Sequence, residues 1–173
     1  MLLMGIDAGS GNNCGVAIYH TKTKIFIKVK KMHLLDLLDL MDKEVARLSG
    51  VVLEDPNLDK TTFRVGKTRA MSLKFAQDVG KNKAIANTII EKCRRLNIDY
   101  ALVAPSERRR ADKGNKVLAQ LNMPTKTTQQ QFRLLTGFTR PTNEHSRDAG
   151  TLVWRLSLPD FEKLCKKNGQ FTP

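Results

Sequence analysis

Three acidic residues far apart in the chain occupy positions that favour metal chemistry. Asp7 interrupts the apolar run "LLMGID", Glu54 ends "VVLE", and Asp148 follows His145 by three residues in "EHSRDAGTLVW". Burying an ionised carboxylate is costly unless it is paired or bound to a cation. If the fold brings these acids together, their mutual repulsion favours a bound cation. Mg²⁺ suits such a set because it prefers oxygen ligands and retains water.

The chemistry expected of such a site is phosphodiester hydrolysis. Two Mg²⁺ ions roughly 4 Å apart can activate water and stabilise the leaving oxygen. In this interpretation Asp7 bridges the ions, Glu54 and Asp148 each complete one of them, and His145 ligates the second ion or handles a proton. Taken singly, these residues are also typical of turns, loops, helix surfaces and caps. The hypothesis therefore depends on the set and its order along the chain.

Hydrophobic periodicity predicts the elements that position these residues. Strands are expected at 2–8, 14–20 and 24–31, joined by hairpins, and later at 50–55 and 99–104. A helix is predicted over "HLLDLLDLMDKEVARLSG", ended by Gly50, and further helices at roughly 70–96, near 113–121, 127–136 and 143–156, and after Pro159. The first of these helices is expected to bury a face made of Leu34, Leu38, Met41, Val45 and Leu48.

This order of elements predicts an α/β fold with a mixed five-stranded sheet flanked by helices. Three strands pair antiparallel through hairpins, and right-handed crossovers place the last two parallel to the first, on its far side from the hairpins. Sites in such sheets form at the carboxyl ends of parallel strands. Asp7 and Glu54 are therefore expected to meet at one edge. Ala149 and Gly150 are small enough to let the helix that carries Asp148 lie close to the sheet.

The charge predicts a polyanionic partner. The chain has 30 Lys and Arg against 17 Asp and Glu, a net +13. Residues 60–116 hold 15 basic and 5 acidic residues, a local +10. Such a footprint favours nucleic acid. Phe63 could stack on an unpaired base or anchor the core, and the basic residues expected to contact phosphates are Lys60, Arg64, Lys67, Arg69, Arg108, Arg109, Arg110, Lys113 and Lys116.

Four segments carry a resemblance to a known family. "GIDAGSGNNCGVAI", "VVLEDP", "APSERRR" and "EHSRDAGTLVW" together resemble the RuvC family of Holliday-junction resolvases, within the RNase H-like fold. The likeness spans essentially the whole chain and is closer to phage-type relatives. It implies one RNase H-like nuclease domain over 1–173. It also implies a Mg²⁺-dependent endonuclease, with Mn²⁺ able to substitute, that resolves four-way DNA junctions by paired symmetric nicks.

The resemblance also assigns residues and a partner. The family's metal site falls on Asp7, Glu54, His145 and Asp148, although many relatives have Asp in place of His145. Lys126 resembles a family lysine near the active site. Members of the family are dimers, which implies a homodimer here, and a two-fold dimer suits the symmetry of a four-way junction. The long helix from residue 70 is the expected interface, and Met71, Phe75, Val79, Ala86, Ile89, Ile90 and Cys93 fit either core or dimer contact.

Several other classes are disfavoured. Cys14, Cys93 and Cys165 have neither disulfide nor zinc spacing, which favours a reducing cytoplasm, and the family resemblance implies that of a bacterial or phage-infected cell. No apolar run reaches the ~18 residues of a membrane span, and the N-terminus lacks the basic region of a signal peptide. "VGKT" at 65–68 fails the phosphate-loop pattern, since Thr61 occupies the first glycine position. The acids of "DLLDLMD" fit a solvated helix face.

Three alternatives stay open from the sequence. "GIDAGSGNN" also resembles the first phosphate loop of actin- and sugar-kinase-like ATPases, but a second glycine-rich loop is lacking. Another RNase H-like nuclease, acting on RNA–DNA hybrids or flaps, would use the same acids. A non-catalytic branched-DNA-binding module would use only the basic surface.

Overall fold

A computed structural model describes residues 1–9, 13–59, 68–106 and 126–167. In these ranges the strands are β1 (Leu2–Ala8), β2 (Asn13–His20), β3 (Ile25–His33), β4 (Leu48–Glu54) and β5 (Tyr100–Val103). The helices are α1 (Leu34–Glu44), α2 (Arg69–Arg95), α3 (Gln129–Thr136), α4 (Glu144–Val153) and α5 (Leu158–Lys167). The helix predicted near 113–121 lies outside the described residues.

The strands form one mixed sheet in the order β3-β2-β1-β4-β5. β1 pairs antiparallel with β2, and β2 with β3, whereas β1–β4 and β4–β5 are parallel. This confirms the predicted architecture, including the position of both parallel strands on the far side of β1 from the hairpins. The carboxyl ends of β1 and β4 therefore lie side by side.

Each face of the sheet is covered by helices and has its own apolar core. On one face, Leu37 and Met41 of α1 and Ile89 of α2 pack against Met4, Ile6 and other residues of the central strands. On the opposite face, α3, α4 and α5 pack against the alternate strand residues. These are the α1 face and the α4 face of the sheet, respectively. The side chains of α4 that enter the core are Ala149, Leu152 and Val153.

The predicted end of the first helix is wrong. α1 ends at Glu44, Leu48 begins β4, and Gly50 is a buried strand residue instead of a helix terminus. A Cβ atom at Gly50 would lie 2.1 Å from the Phe161 ring of α5, so the glycine makes room for that aromatic side chain. The buried face of α1 also differs: Leu37 and Met41 are fully enclosed. Leu34, Leu38, Val45 and Leu48 are partly buried against the same core.

The C-terminal helices also differ from their predicted limits. α4 ends at Val153, before the predicted limit of 156, because Trp154 takes an extended backbone with ψ of 127°, and Arg155 after it is left-handed. α5 begins at Leu158, so Pro159 lies in its first turn, where the missing N–H is tolerated.

Within the described part of the chain, none of the helices is both long and apolar enough to cross a membrane. Cys14, Cys93 and Cys165 are buried free thiols.

Candidate functional site

Asp7 and Glu54 are direct partners across the parallel pair of β1 and β4. Both side chains point to the α4 face, since Leu3 and Val52, an even number of residues away on the same strands, belong to the core of that face. Each residue is only 8% exposed. The parallel pairing expected from the sequence thus brings these two acids together. Their function as metal ligands stays a prediction.

The first turns of α4 bring His145 and Asp148 to the same edge. Asn143 caps the helix by accepting a 2.8 Å hydrogen bond from the Ser146 N–H, while the Ser146 hydroxyl accepts one from the Asn143 N–H. His145 Nδ1 lies 3.0 Å from Asp7 Oδ2. Asp148 follows one turn later and is buried.

Glycines on the strands allow α4 to lie directly on the sheet. A Cβ atom at Gly15 would lie 1.9 Å from the His145 carbonyl oxygen, and one at Gly5 would lie 2.1 Å from that of Ala149. No other residue type fits at these distances without displacing the helix. The sequence interpretation found the small residues of the helix but missed these two strand glycines. A glycine inside a strand pattern is the signal for such an approach.

Acidic side chains around His145 favour its protonated form. The hydrogen bond to Asp7 raises the pKa of His145 above its usual 6.5, against the lowering effect of burial. The charges of Asp7, Asp148 and Glu144 raise this pKa further. Asp148, one helical turn after His145, is therefore among the acids whose charge favours the protonated imidazole.

The structure separates the adjacent acids Glu54 and Asp55. Asp55 Oδ1 accepts hydrogen bonds from the backbone N–H and side-chain amide of Asn57, at 2.9 and 2.7 Å. The Asp55 N–H donates to the Val103 carbonyl. Asp55 thus closes the turn after β4, and Glu54 is the acid at the candidate site.

Of the predicted DNA contacts, Lys126 and Arg69 lie within the described residues. Lys126 Nζ is 2.7 Å from Glu144 Oε1, so this lysine lies at the first turn of α4 and lowers the pKa of Glu144. Arg69 is the exposed first residue of α2. The others, which lie outside the described residues, are Lys60, Phe63, Arg64, Lys67, Arg108, Arg109, Arg110, Lys113 and Lys116.

Arg147, which the sequence interpretation missed, holds the segment after Lys126 against α4. Its Nε donates a 2.7 Å hydrogen bond to the Thr127 carbonyl, and its Nη1 donates to the Thr142 carbonyl at 3.1 Å. One guanidinium group thus joins the segment at Thr127 to the residues that lead into α4. A lone Arg in an amphipathic pattern gives no sequence signal for this contact.

The donor chemistry of the site fits a hard divalent cation. Three buried carboxylates and one imidazole form an oxygen-rich set, the kind that Mg²⁺ prefers over softer metals. As they are placed, the His, Cys, Asp and Glu side chains of the described residues do not form a ready group of three or more metal ligands. Asp7 and His145 are in direct contact, and occupancy by a cation would require the side chains to close around it.

The strand order and strand directions match the RNase H-like fold. Two solved structures of RuvC are similar over nearly the whole chain. T. thermophilus RuvC in complex with a Holliday junction substrate aligns with a TM-score of 0.56 and 13% identity, covering 98% of this chain and 97% of that chain. A further Thermus thermophilus RuvC structure aligns with a TM-score of 0.53 and 13% identity, covering 98% of each.

The likeness to these structures shows the RuvC fold and confirms the fold that the sequence motifs implied. No family model and no curated protein sequence matches the chain. The similarity that the comparisons find is therefore in the three-dimensional structure.

Proposed function

We propose that this protein is a Mg²⁺-dependent endonuclease of branched DNA that resolves four-way junctions by paired symmetric nicks. The observation that carries the proposal is the position of Asp7, Glu54, His145 and Asp148 at the carboxyl edge of a RuvC-like sheet. The similar structure bound to a Holliday junction favours a junction-resolving nuclease over other RNase H-like nucleases. The net charge of +13 fits a DNA partner. We place this activity in the cytoplasm of a bacterial or phage-infected cell.

The residues of the chain have separate tasks in this mechanism. Asp7, Glu54 and Asp148 would hold the cations, and His145 would complete the set once it is deprotonated. Bound Mg²⁺, or Mn²⁺ in its place, supplies an activated water and stabilises the leaving oxygen of the phosphodiester. The contact of the His145 backbone with Gly15 holds the imidazole beside Asp7 before DNA arrives. Lys126 at the first turn of α4 would contact a backbone phosphate beside the scissile bond.

The proposed dimer uses the N-terminal half of α2. Met71, Phe75 and Val79 recur every four residues on this helix and are 43%, 38% and 40% exposed. Four other predicted interface residues of α2 are instead buried in the core of this chain: Ala86, Ile89, Ile90 and Cys93. An apolar stripe with helical spacing fits the same stripe of a second copy, and such an isologous pair would present two active sites to a two-fold symmetric junction.

The proposed function is tested by a substrate panel. The purified protein is incubated with end-labelled four-way junction, linear duplex, flap and RNA–DNA hybrid, in Mg²⁺ and in EDTA. Symmetric nicks on the junction, only in Mg²⁺, support the proposal. Preferred cleavage of the hybrid or flap would indicate another RNase H-like nuclease. Tight junction binding without cleavage in Mg²⁺ or Mn²⁺ would indicate a binding module.

A further inference from the structure

One row of directly paired residues crosses the sheet through the candidate site. Lys31 of β3 pairs with Gly15 of β2, Gly15 with Asp7, and Asp7 with Glu54. Directly paired residues point to the same face, so Lys31 shares the α4 face with the two acids. Since neighbouring strands lie about 4.8 Å apart, Lys31 is roughly 10 Å from Asp7 along this row.

In this row of paired residues, Gly15 is the residue that lies between Lys31 and Asp7. The backbone of His145 rests on Gly15, so Lys31 flanks the first turn of α4. Lys31 is exposed. Within the residues that the structure describes, its ammonium group forms neither an ion pair nor a hydrogen bond. A long cationic side chain is thus available beside a cluster of carboxylates.

The other two lysines of β3 point away from this site. Lys30 pairs with Val16 and Lys28 with Ile18, and both of these partners belong to the core of the α1 face. β3 is an edge strand, and exposed lysines on edge strands commonly prevent pairing with another sheet. That general function would apply equally to Lys30 and Lys31, whereas proximity to the acids distinguishes Lys31.

We propose that Lys31 binds a DNA backbone phosphate on the β3 side of the carboxylate site, an inference that rests on the proposed function. A strand that presents its scissile phosphate to Asp7 and Glu54 continues past them in both directions. On the β3 side, Lys31 places a positive charge in the same row of paired residues as Asp7 and Glu54. A lysine acts there as a point charge on phosphate, so it contributes affinity and register without sequence preference.

The adjacent lysines provide a matched pair of variants. Lys31→Ala and Lys30→Ala remove the same charge from the same exposed strand, one on each face, and neither removes a core contact. Binding of a fluorescent four-way junction is measured by anisotropy in EDTA at several salt concentrations, and cleavage by the unmodified protein is followed separately in Mg²⁺. We expect Lys31→Ala to weaken binding roughly three- to tenfold and to lower the salt slope by about 0.9. Lys30→Ala should change neither, and Lys31→Arg should retain binding.

The outcomes distinguish failure of the Lys31 inference from failure of the proposed function. Equal losses in Lys31→Ala and Lys30→Ala, or no loss in Lys31→Ala, would overturn the role of Lys31 even if the junction is cleaved. Weaker binding by Lys31→Ala alone supports it, even if the unmodified protein fails to cleave and the nuclease proposal falls. Absence of junction binding by the unmodified protein would overturn both.

Discussion

His145 Nδ1 and Asp7 Oδ2 lie 3.0 Å apart, across 138 positions of sequence. This contact joins the first turn of α4 to the end of β1 and places an imidazole against a buried carboxylate. It exists because the His145 carbonyl rests on Gly15 of the neighbouring strand. The candidate site therefore depends on Gly15 of β2, which has no side chain, as much as on the acids themselves.

Gly15→Ala should destabilise the fold and disrupt the site. The added Cβ would lie 1.9 Å from a backbone oxygen that cannot rotate away, so α4 must shift. Overpacking of this kind costs about 1–3 kcal/mol. Gly80→Ala in the middle of α2 is the matched control, because none of the described residues would contact its Cβ within 4 Å. That change should stabilise the protein by about 0.5–1 kcal/mol. Urea unfolding measures both, and equal effects of the two substitutions would contradict the close contact.

Asp148→Asn should abolish cleavage while junction binding is retained. The substitution keeps the size of the side chain but removes a carboxylate ligand, so we expect a loss of roughly a hundredfold or more in the cleavage rate. Binding in EDTA should be unchanged or tighter, because one negative charge near the DNA is lost. Asp39→Asn makes the same chemical change on the exposed surface of α1 and should leave both properties unchanged. An equal loss of binding and cleavage in a folded Asp148→Asn protein would indicate a role beyond metal binding.

The contact between His145 and Asp7 should give the metal-free protein a specific pH dependence. The folded-state pKa of His145 is raised by Asp7, so the contribution of the charged pair to stability is fully present below pH ~6.5. It is lost as the pH rises through the raised folded-state pKa. Urea unfolding in EDTA should therefore show a larger difference between the unmodified protein and His145→Gln at pH 5.5 than at pH 9. A difference that stays constant with pH would mean that the pKa of His145 is the same in the folded and unfolded protein.

Phe75→Glu should convert the proposed dimer to a monomer. The substitution places a charge at the centre of the exposed apolar stripe on α2, where burial against a second copy would be costly. Leu134→Glu on α3 is the control, since Leu134 is 78% exposed and lies outside the stripe. Light scattering should report the single-chain mass of 19.5 kDa for Phe75→Glu and twice that mass for the control and the unmodified protein. A monomer in all three, at concentrations that support cleavage, would contradict this interface.

The pairing of Asp7 with Glu54 could be predicted because local patterns and chain order determine it. Strands in hairpins followed by right-handed crossovers place the strand that ends at Glu54 parallel to β1, so that Asp7 and Glu54 meet at one edge. The observed pairing of β1 with β4 agrees with that reasoning.

Contacts between distant residues explain the failures. Gly50 follows a helical pattern, which resembles a helix end, but its actual neighbour is Phe161, more than a hundred residues later. Gly15 was missed for the same reason, because its partner is the backbone of His145. The functions of Arg147 and Lys31 also depend on what lies across the fold. Periodicity and capping signals carry no information about such neighbours.

The most direct test is cleavage of an end-labelled four-way junction by the unmodified protein and by Asp7→Asn in Mg²⁺, with nick positions mapped on all four strands. The proposed nuclease should produce paired nicks at symmetric positions on opposing strands, and Asp7→Asn, folded and still bound to the junction, should produce none. Nicking that persists in Asp7→Asn, or an unmodified protein that binds the junction in Mg²⁺ and never cuts it, would contradict the proposal.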